Sequence, residues 1–560
     1  NIAESPGGVT WSPDGRWIAF TMFVPDSPST FATMPPKPEG AEWAEPVRVI
    51  DDVQYRSDGN PGFLRDGNTH VFVVPAEGGT PRQITSGPYD HTRPAWSADG
   101  GSLLVTANRR DDADLEAPND TEIWEVSVAD SGMRPLTDRF GPDAGAVVSP
   151  DGRRVAYTGF DDHFQGYEVT RLYVMDRDGS NARMLAGDLD RDVGGLVWSA
   201  DSRGLYVQYD DRGDTKVALV GLDGRVRDVL EGGVGGLSLG RPYSGGSFSY
   251  GGGTIAFTHT SPDHPADVAA VPAEGGEVRR LTRLNDDLLG PRELGRVEEI
   301  EWTSSFDGRG VQGWIVTPPG FDPSRRYPLL LEIHGGPFAN YGNRFAAEIQ
   351  LYAAAGYVVL YANPRGSTSY GQEFGNLIHH AYPGNDYDDL MSGVDAVLER
   401  GYVDPDRLYV TGGSGGGVLT AWIVGKTHRF RAAVVQKPVI NWASFVLYAD
   451  ATPFFSKYWF PAFPWEDHEH YWRRSPLSLV GNVTTPTMLV TGEADYRTPS
   501  GEAEQFYMAL ELQGVESVMV RIPGASHNIA RRPSNLIAKV VHVLKWFELH
   551  GGEGGQRPTS

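Results

Sequence analysis

The chain has 560 residues, of which 40% are apolar, a formal charge of −24 and no cysteine. That length exceeds what one hydrophobic core holds, so two or more domains are expected, and the acidic balance argues against nucleic acid as a partner. Disulfides, thiolate catalysis and Cys-ligated zinc are excluded, and no apolar run reaches the roughly 18 residues that a membrane span needs.

The opening residues, Asn1 to Pro6, show no basic region followed by an apolar one, so no signal peptide is visible. Without an initiator Met the chain is expected to begin inside a longer precursor. A repeat then dominates the first half. It reads Val9-Thr-Trp-Ser-Pro-Asp-Gly-Arg-Trp-Ile-Ala-Phe20, and returns at Pro94–Val105, Ala146–Tyr157 and Gly195–Tyr206, with a degenerate copy at Gly246–Phe257. After the second copy the period is roughly 50 residues. Each copy is an apolar strand, a Ser-Pro-Asp-Gly type turn and a second strand, and a further hairpin is expected after each. Four short strands at this period describe a β-propeller blade; a β-sandwich or tandem small β-domains are the alternatives. Five blades are countable.

The longer first interval holds an insertion at about Met22 to Asn68, which should be loop-like and project from the ring. Arg56 in the insertion, with Arg109 and Arg110 in the next blade, is a candidate contact for a peptide carboxylate. Solvation, or pairing with Asp58 and Asp111, is the competing reading. Aspartate clusters such as Asp161–Asp162 and Asp210–Asp211 lack the EF-hand spacing and suit turns between strands, so no metal and no cofactor is expected.

The polar stretch at Leu284–Leu288 ends the propeller, giving domains of 1–288 and 289–560. Strands and helices alternate from there. Expected strands include Val297–Trp302, Val311–Val316, Tyr327–Ile333, Tyr357–Tyr361, Ala432–Val435, Thr487–Val490 and Ser517–Arg521, and helices include Asp388–Arg400, Gly501–Leu512 and Leu536–Leu549. This alternation predicts an α/β-hydrolase type domain: a mostly parallel, doubly wound sheet with active residues at strand C-terminal ends. From Gly551 the chain is polar and glycine-rich and is expected to fray.

Four motifs sit at such strand ends. Leu408-Tyr-Val-Thr-Gly-Gly-Ser-Gly-Gly-Gly417 places Ser414 on a strand-to-helix turn with glycine two residues to either side, as a nucleophile elbow requires. His334-Gly-Gly-Pro337 ends an apolar strand and can supply an oxyanion N–H. Asp495 and His527 each follow a further strand, so the order Ser, Asp, His is that of α/β-hydrolases. The expected roles are nucleophile for Ser414, base for His527, orienting acid for Asp495, and oxyanion donors in the N–H groups of Gly415 and Gly336, although Gly335 stands beside the latter. His379, His380, His428, His468 and His470 do not follow the acid strand; Asp450 and Asp467 lack a preceding strand. The aromatic segment Asn441–Pro476, with Trp442, Phe445 and Phe454, should wall an apolar side-chain pocket or pack as its own core.

The Trp-Ser-Pro-Asp-Gly repeats followed by His334-Gly-Gly-Pro337, Asn363-Pro-Arg-Gly-Ser367, Gly412-Gly-Ser-Gly-Gly416, Gly492-Glu-Ala-Asp-Tyr-Arg497 and Gly524-Ala-Ser-His527 resemble the prolyl oligopeptidase family of serine peptidases, within it the acylaminoacyl-peptidase-like branch. The resemblance covers essentially the whole chain. It implies a seven-bladed propeller gating access for short peptides, the triad Ser414, Asp495 and His527, structural support from Arg365 and Arg497, a cytoplasmic location and a possible homo-oligomer. Gly415 departs from the tyrosine that many relatives carry after the serine, which keeps the backbone donor but alters the pocket. Release of blocked amino-terminal residues is the leading expectation. Carboxypeptidase and oligopeptide endopeptidase activities are the alternatives, ahead of an esterase or a non-catalytic propeller module.

Overall fold

The computed structural model describes residues 2–27, 31–236 and 238–551, so the C-terminal residues expected to fray lie, from 552 on, outside the described residues. In the first half, the repeats fold as their turn chemistry dictates. Ser12 Oγ donates to Asp14 Oδ1 at 2.6 Å, and these oxygens accept the N–H groups of Trp17 and Arg16 at 2.9 and 3.0 Å. The same closed set forms at Ser97–Asp99, Ser149–Asp151 and Ser199–Asp201. The fourth turn position has positive φ at Gly15, Gly100 and Gly152, and Ser202 adopts 60° there although it is not glycine.

Each turn joins the first two strands of a four-stranded antiparallel unit, and the described residues contain five such units. The first runs through Gly7–Trp11, Trp17–Pro25, Gly67–Pro75 and Arg82–Gln83. The fourth and fifth are joined into one eight-stranded sheet by the pair Val234–His259. First strands of successive units pack on one another, so the units stack as propeller blades. Tryptophan seals two of these joints: Trp96 Nε1 donates to Thr10 O at 3.2 Å and Trp198 Nε1 to Val147 O at 3.0 Å. Both rings are buried, whereas Trp11 at the same place in the first unit is 58% exposed.

The insertion is shorter than its sequence bounds, because Thr21–Val24 continue a strand paired with Asn68–Val71. It does not simply project into solvent: residues 54–64 form a narrow hairpin, closed by Ser57 N–H to Gly62 O at 2.7 Å, that lies on the second domain.

The second domain is built on one eight-stranded sheet: β1 (Arg296–Thr303), β2 (Gly310–Thr317), β3 (Tyr327–Ile333), β4 (Val358–Asn363), β5 (Val403–Gly413), β6 (Ala432–Gln436), β7 (Thr487–Gly492) and β8 (Ser517–Ile522), in the order β1-β2-β4-β3-β5-β6-β7-β8. The β1–β2 and β2–β4 pairs are antiparallel and the rest parallel. Apolar clusters cover both faces, one around Leu331, Val394 and Phe506, the other around Val359, Val434 and Phe547. That explains why the central strands read as continuous apolar runs. The aromatic segment folds into three short helices, Trp442–Tyr448, Thr452–Tyr458 and His468–Arg474. Among the described residues no helix is long and apolar enough to cross a membrane.

Backbone groups and buried side chains join the domains. Arg344 Nη1 donates to Gly213 O at 2.6 Å, Gly213 N–H to Ser369 Oγ at 2.8 Å, and the Tyr458 hydroxyl to Asp162 of the third unit.

Candidate active site

The geometry begins with a turn that only glycine permits. Ser414 follows β5 with φ 61° and caps the helix Gly415–Lys426. A Cβ on Gly412 would stand 2.4 Å from Gly416 O, and one on Gly416 would stand 2.0 Å from Ile333 O. The pattern therefore reflects two backbone approaches, across the turn and onto β3, and the helix directs its free N–H groups at the serine.

Neighbouring strands deliver the other groups to the same edge. After β7, Asp495 is buried and its Oδ2 lies 2.9 Å from His527 Nδ1, on the loop after β8. Thr498 completes this contact: its N–H and hydroxyl donate to Asp495 at 2.8 and 3.1 Å, and the hydroxyl lies 3.1 Å from His527 Nδ1. With Nδ1 held by the carboxylate, Nε2 is the nitrogen left to accept a proton. Ser414 Oγ has no hydrogen-bond partner among the described residues, a common state of such a pair before substrate binds.

Lys437 follows β6 with φ 37°, and its Nζ donates to His527 O at 2.8 Å. Burial brings its ammonium down to about 7. Burial likewise lowers the His527 imidazole, helped by the charge of Lys437 and opposed by Asp495 and Asp58. A base below its ordinary value is neutral, and so able to accept a proton, throughout the neutral range.

The His334-Gly-Gly-Pro337 loop lies against the elbow, with the Cβ position of Gly415 3.1 Å from Gly336 N. Gly335 N–H is occupied: it donates to the Tyr243 hydroxyl at 2.7 Å. Among the described residues the N–H groups of Gly336 and Gly415 take no protein acceptor. His334 is buried and held between Gly335 O and Ser367 Oγ at 2.8 and 2.9 Å, and burial pushes it down to about 4. It anchors the loop as a neutral ring.

The remaining candidates fall in varied places. Arg365 is 4% exposed and bonds Asp389 at 2.7 and 2.9 Å and Asp307 at 3.0 and 3.2 Å, fixing the loop after β4. Arg497 grips Asp450 at 2.6 and 3.2 Å. Arg56 is buried; it donates to Tyr448 O and its guanidinium lies 4.3 Å from the Tyr448 ring, while Asp58 turns elsewhere. Arg109 meets His91 at 3.1 Å and the rings of Tyr89 and Trp124, and Arg110 pairs with Asp112 at 2.8 Å and Asp120 at 3.4 Å. Trp442 and Phe445 are buried in the core of the aromatic segment with Phe455 and Phe460, and Phe454 is half-buried at its margin. The Tyr382 hydroxyl donates to Gly415 O at 2.7 Å, with Trp442 and Trp459 beside its ring. Among the other histidines, His379 and His380 stack 3.7 Å apart, His428 meets Thr484, and His468 and His470 lie on the helix capped by Asp467. One cluster of metal-ligand type occurs among the described residues, His264, Asp267 and Asp286, and Arg280 bonds both of its carboxylates.

Sequence reasoning passed over Lys437, Thr498, Tyr243 and Tyr382. Thr498 had a local signal, three residues after the acid. The others are linked to the site by tertiary contacts alone.

The family model for the prolyl oligopeptidase family matches residues 343–553. A Bacillus subtilis (strain 168) protein described as "uncharacterized peptidase YuxL" is 35% identical, across 98% of this chain and 84% of its own. Dipeptidyl-peptidase 5 of Porphyromonas gingivalis is 24% identical, across 97% of this chain and 80% of its own. Pyrococcus horikoshii acylaminoacyl peptidase superposes with a TM-score of 0.82 at 22% identity, covering 100% of this chain and 83% of that one. A Mycobacterium tuberculosis puromycin-hydrolyzing peptidase superposes with a TM-score of 0.67 at 19% identity, covering 100% and 96%. The structural likenesses establish the fold, a propeller followed by an α/β-hydrolase domain. With the whole-length sequence relative, they lead to one conclusion: the chain belongs to the prolyl oligopeptidase family and is a serine peptidase.

Proposed function

We propose that the enzyme cleaves short peptides through an acyl-enzyme at Ser414, with an acylaminoacyl-peptidase-like preference for blocked amino ends. The observation that carries the triad is the 2.9 Å contact of Asp495 with His527 Nδ1 on the strand edge where Ser414 sits strained at φ 61°. Ser414 Oγ attacks the carbonyl carbon as its proton passes to His527 Nε2. The C–N bond then breaks, the amine leaves with that proton, and water repeats the sequence to free the acid. Asp495 holds the imidazole and stabilises its cation without itself taking the proton.

The negative oxygen formed on attack is held by the N–H groups of Gly415 and Gly336. Occupation of Gly335 N–H by Tyr243 at 2.7 Å supports Gly336 as the donor from that loop. Each such donor contributes about 3 kcal/mol in the transition state. Tyr382, Trp459 and Phe454 supply the apolar wall of the side-chain pocket, while Trp442 and Phe445 back it from the core. A propeller of the seven-bladed type is what the family resemblance implies, and the described residues hold five four-stranded units. The cytoplasmic location and the homo-oligomer rest on the family resemblance alone.

One short peptide in four forms, each end free or blocked, followed by mass spectrometry with wild type and Ser414→Ala, tests this reading. Cleavage confined to amino-blocked forms supports it. Cleavage that needs a free amino end assigns instead the dipeptidyl release named for the Porphyromonas gingivalis relative. A need for a free carboxy end assigns a carboxypeptidase, with Arg109 and Arg110 as its candidates. Internal cleavage of all four forms assigns an endopeptidase, and activity in Ser414→Ala removes the triad assignment.

A further inference from the structure

The insertion of the first propeller unit ends its hairpin inside the active-site periphery. Asp58, at the hairpin tip, accepts three backbone bonds from the other domain. Its Oδ1 takes Tyr496 N–H at 3.0 Å and His527 N–H at 3.0 Å, and its Oδ2 lies 3.1 Å from the same His527 N–H. Those two N–H groups belong to the loop after β7 and the loop after β8, so one carboxylate ties the acid loop to the base loop.

Several contacts fix the carboxylate where it stands. Asp58 N–H donates to Asp450 Oδ2 at 2.7 Å, and Asp450 is in turn held by Arg497. Gln54 Nε2 donates to Asp450 O at 2.6 Å, and Arg56 donates to Tyr448 O. Phe63, on the returning limb of the hairpin, sets its ring edge-on to Tyr496 at 5.7 Å. The hairpin thus grips Tyr496 with a ring and a carboxylate together.

Resting on the triad reading above, we propose that Asp58 is a positioning residue for the reaction, contributed by the propeller domain, which holds the His527 backbone and sets the charge balance around its imidazole. His527 is held at both of its backbone polar groups, by an anion at N–H and by the Lys437 ammonium at C=O. The charged groups facing it are Asp495 from the β7 loop, Lys437 from the end of β6 and Asp58 from the propeller, with the Arg497–Asp450 pair behind Asp58. Removing the Asp58 charge disfavours the imidazolium, so the base titrates at a lower pH. Removing the carboxylate altogether also frees both loops, and small displacements of a catalytic group cost about tenfold or more in rate.

The test is the rate of Ser414 labelling by a fluorophosphonate across pH, in full-length wild type, Asp58→Asn, Asp58→Ala and Ser414→Ala. The expected result is labelling slowed about tenfold in Asp58→Ala, and an acid limb displaced to lower pH in Asp58→Asn. Wild-type labelling in Asp58→Ala overturns the proposal. An unmoved acid limb in Asp58→Asn overturns it too, and decides the matter even where Asp58→Ala does not fold. Labelling that persists in Ser414→Ala would instead remove the triad reading itself.

Discussion

The two domains meet at one site but hold it by different means. The hydrolase domain sets Ser414, Lys437, Asp495 and His527 after β5, β6, β7 and β8, so hydrogen-bonded ladders locate all four. The propeller reaches the site with side chains on connecting segments: Asp58 from within the first unit, and Tyr243 from the link between the fourth and fifth. Arg241, from that same link, lies buried beside Glu332, Glu348 and Gln436 under the elbow. The proposed reacting groups thus follow directly on sheet strands, while the neighbouring domain contacts the loops that carry them.

This contrast can be broken by substitution. The largest effect belongs to the hydrolase: Ser414→Ala is expected to lower turnover by about a millionfold while leaving the thermal midpoint unchanged, since every elbow glycine remains. Residual peptidase activity far above that level would move the chemistry elsewhere.

Next comes the anchor within that domain. Arg365→Ala leaves Asp389 buried without its cation and should cost about 3–5 kcal/mol in a urea titration. A loss under about 1 kcal/mol would mean that the arginine is dispensable to the fold.

A third test compares equivalent positions within the propeller. Trp198→Ala removes a ring 6% exposed and its bond to Val147 O, and should cost about 3 kcal/mol, whereas Trp11→Ala, at 58% exposure, should cost about 0.5 kcal/mol or less. Equal losses would show that Trp11 is covered in solution.

A milder effect on the reaction itself sharpens the division between domains. Tyr243→Phe deletes the acceptor for Gly335 N–H, worth about 1 kcal/mol, and should lower kcat about fivefold with little change in KM. A change in KM alone would place Tyr243 in binding rather than in holding the oxyanion loop.

Much of this was legible in the residues. The Ser-Pro-Asp-Gly turns announced their hairpins because Ser12 and Asp14 complete their bonds within six residues. The elbow was legible because Gly412 and Gly416 answer to backbone crowding around Ser414 itself. The insertion reads as a loop projecting from the ring, yet its hairpin lies against the second domain beside His527. Arg56 drew attention as a charge, whereas the structure spends that charge on the Tyr448 carbonyl and leaves Asp58 to face His527.

Turn chemistry, strand periodicity and the order of Ser414, Asp495 and His527 were determined by the sequence itself, since each depends on forces acting over a few residues or on chain order alone. The choice of Gly336 over Gly335 as the free donor, and the hold on His527 from two sides, were decided only in the tertiary structure. Asp58 and His527 lie 469 positions apart, and no local pattern encodes a bond between a hairpin tip in one domain and a loop in another. Domain packing creates that bond, because backbone N–H groups lining such an interface need an acceptor and Asp58 is the side chain that reaches them.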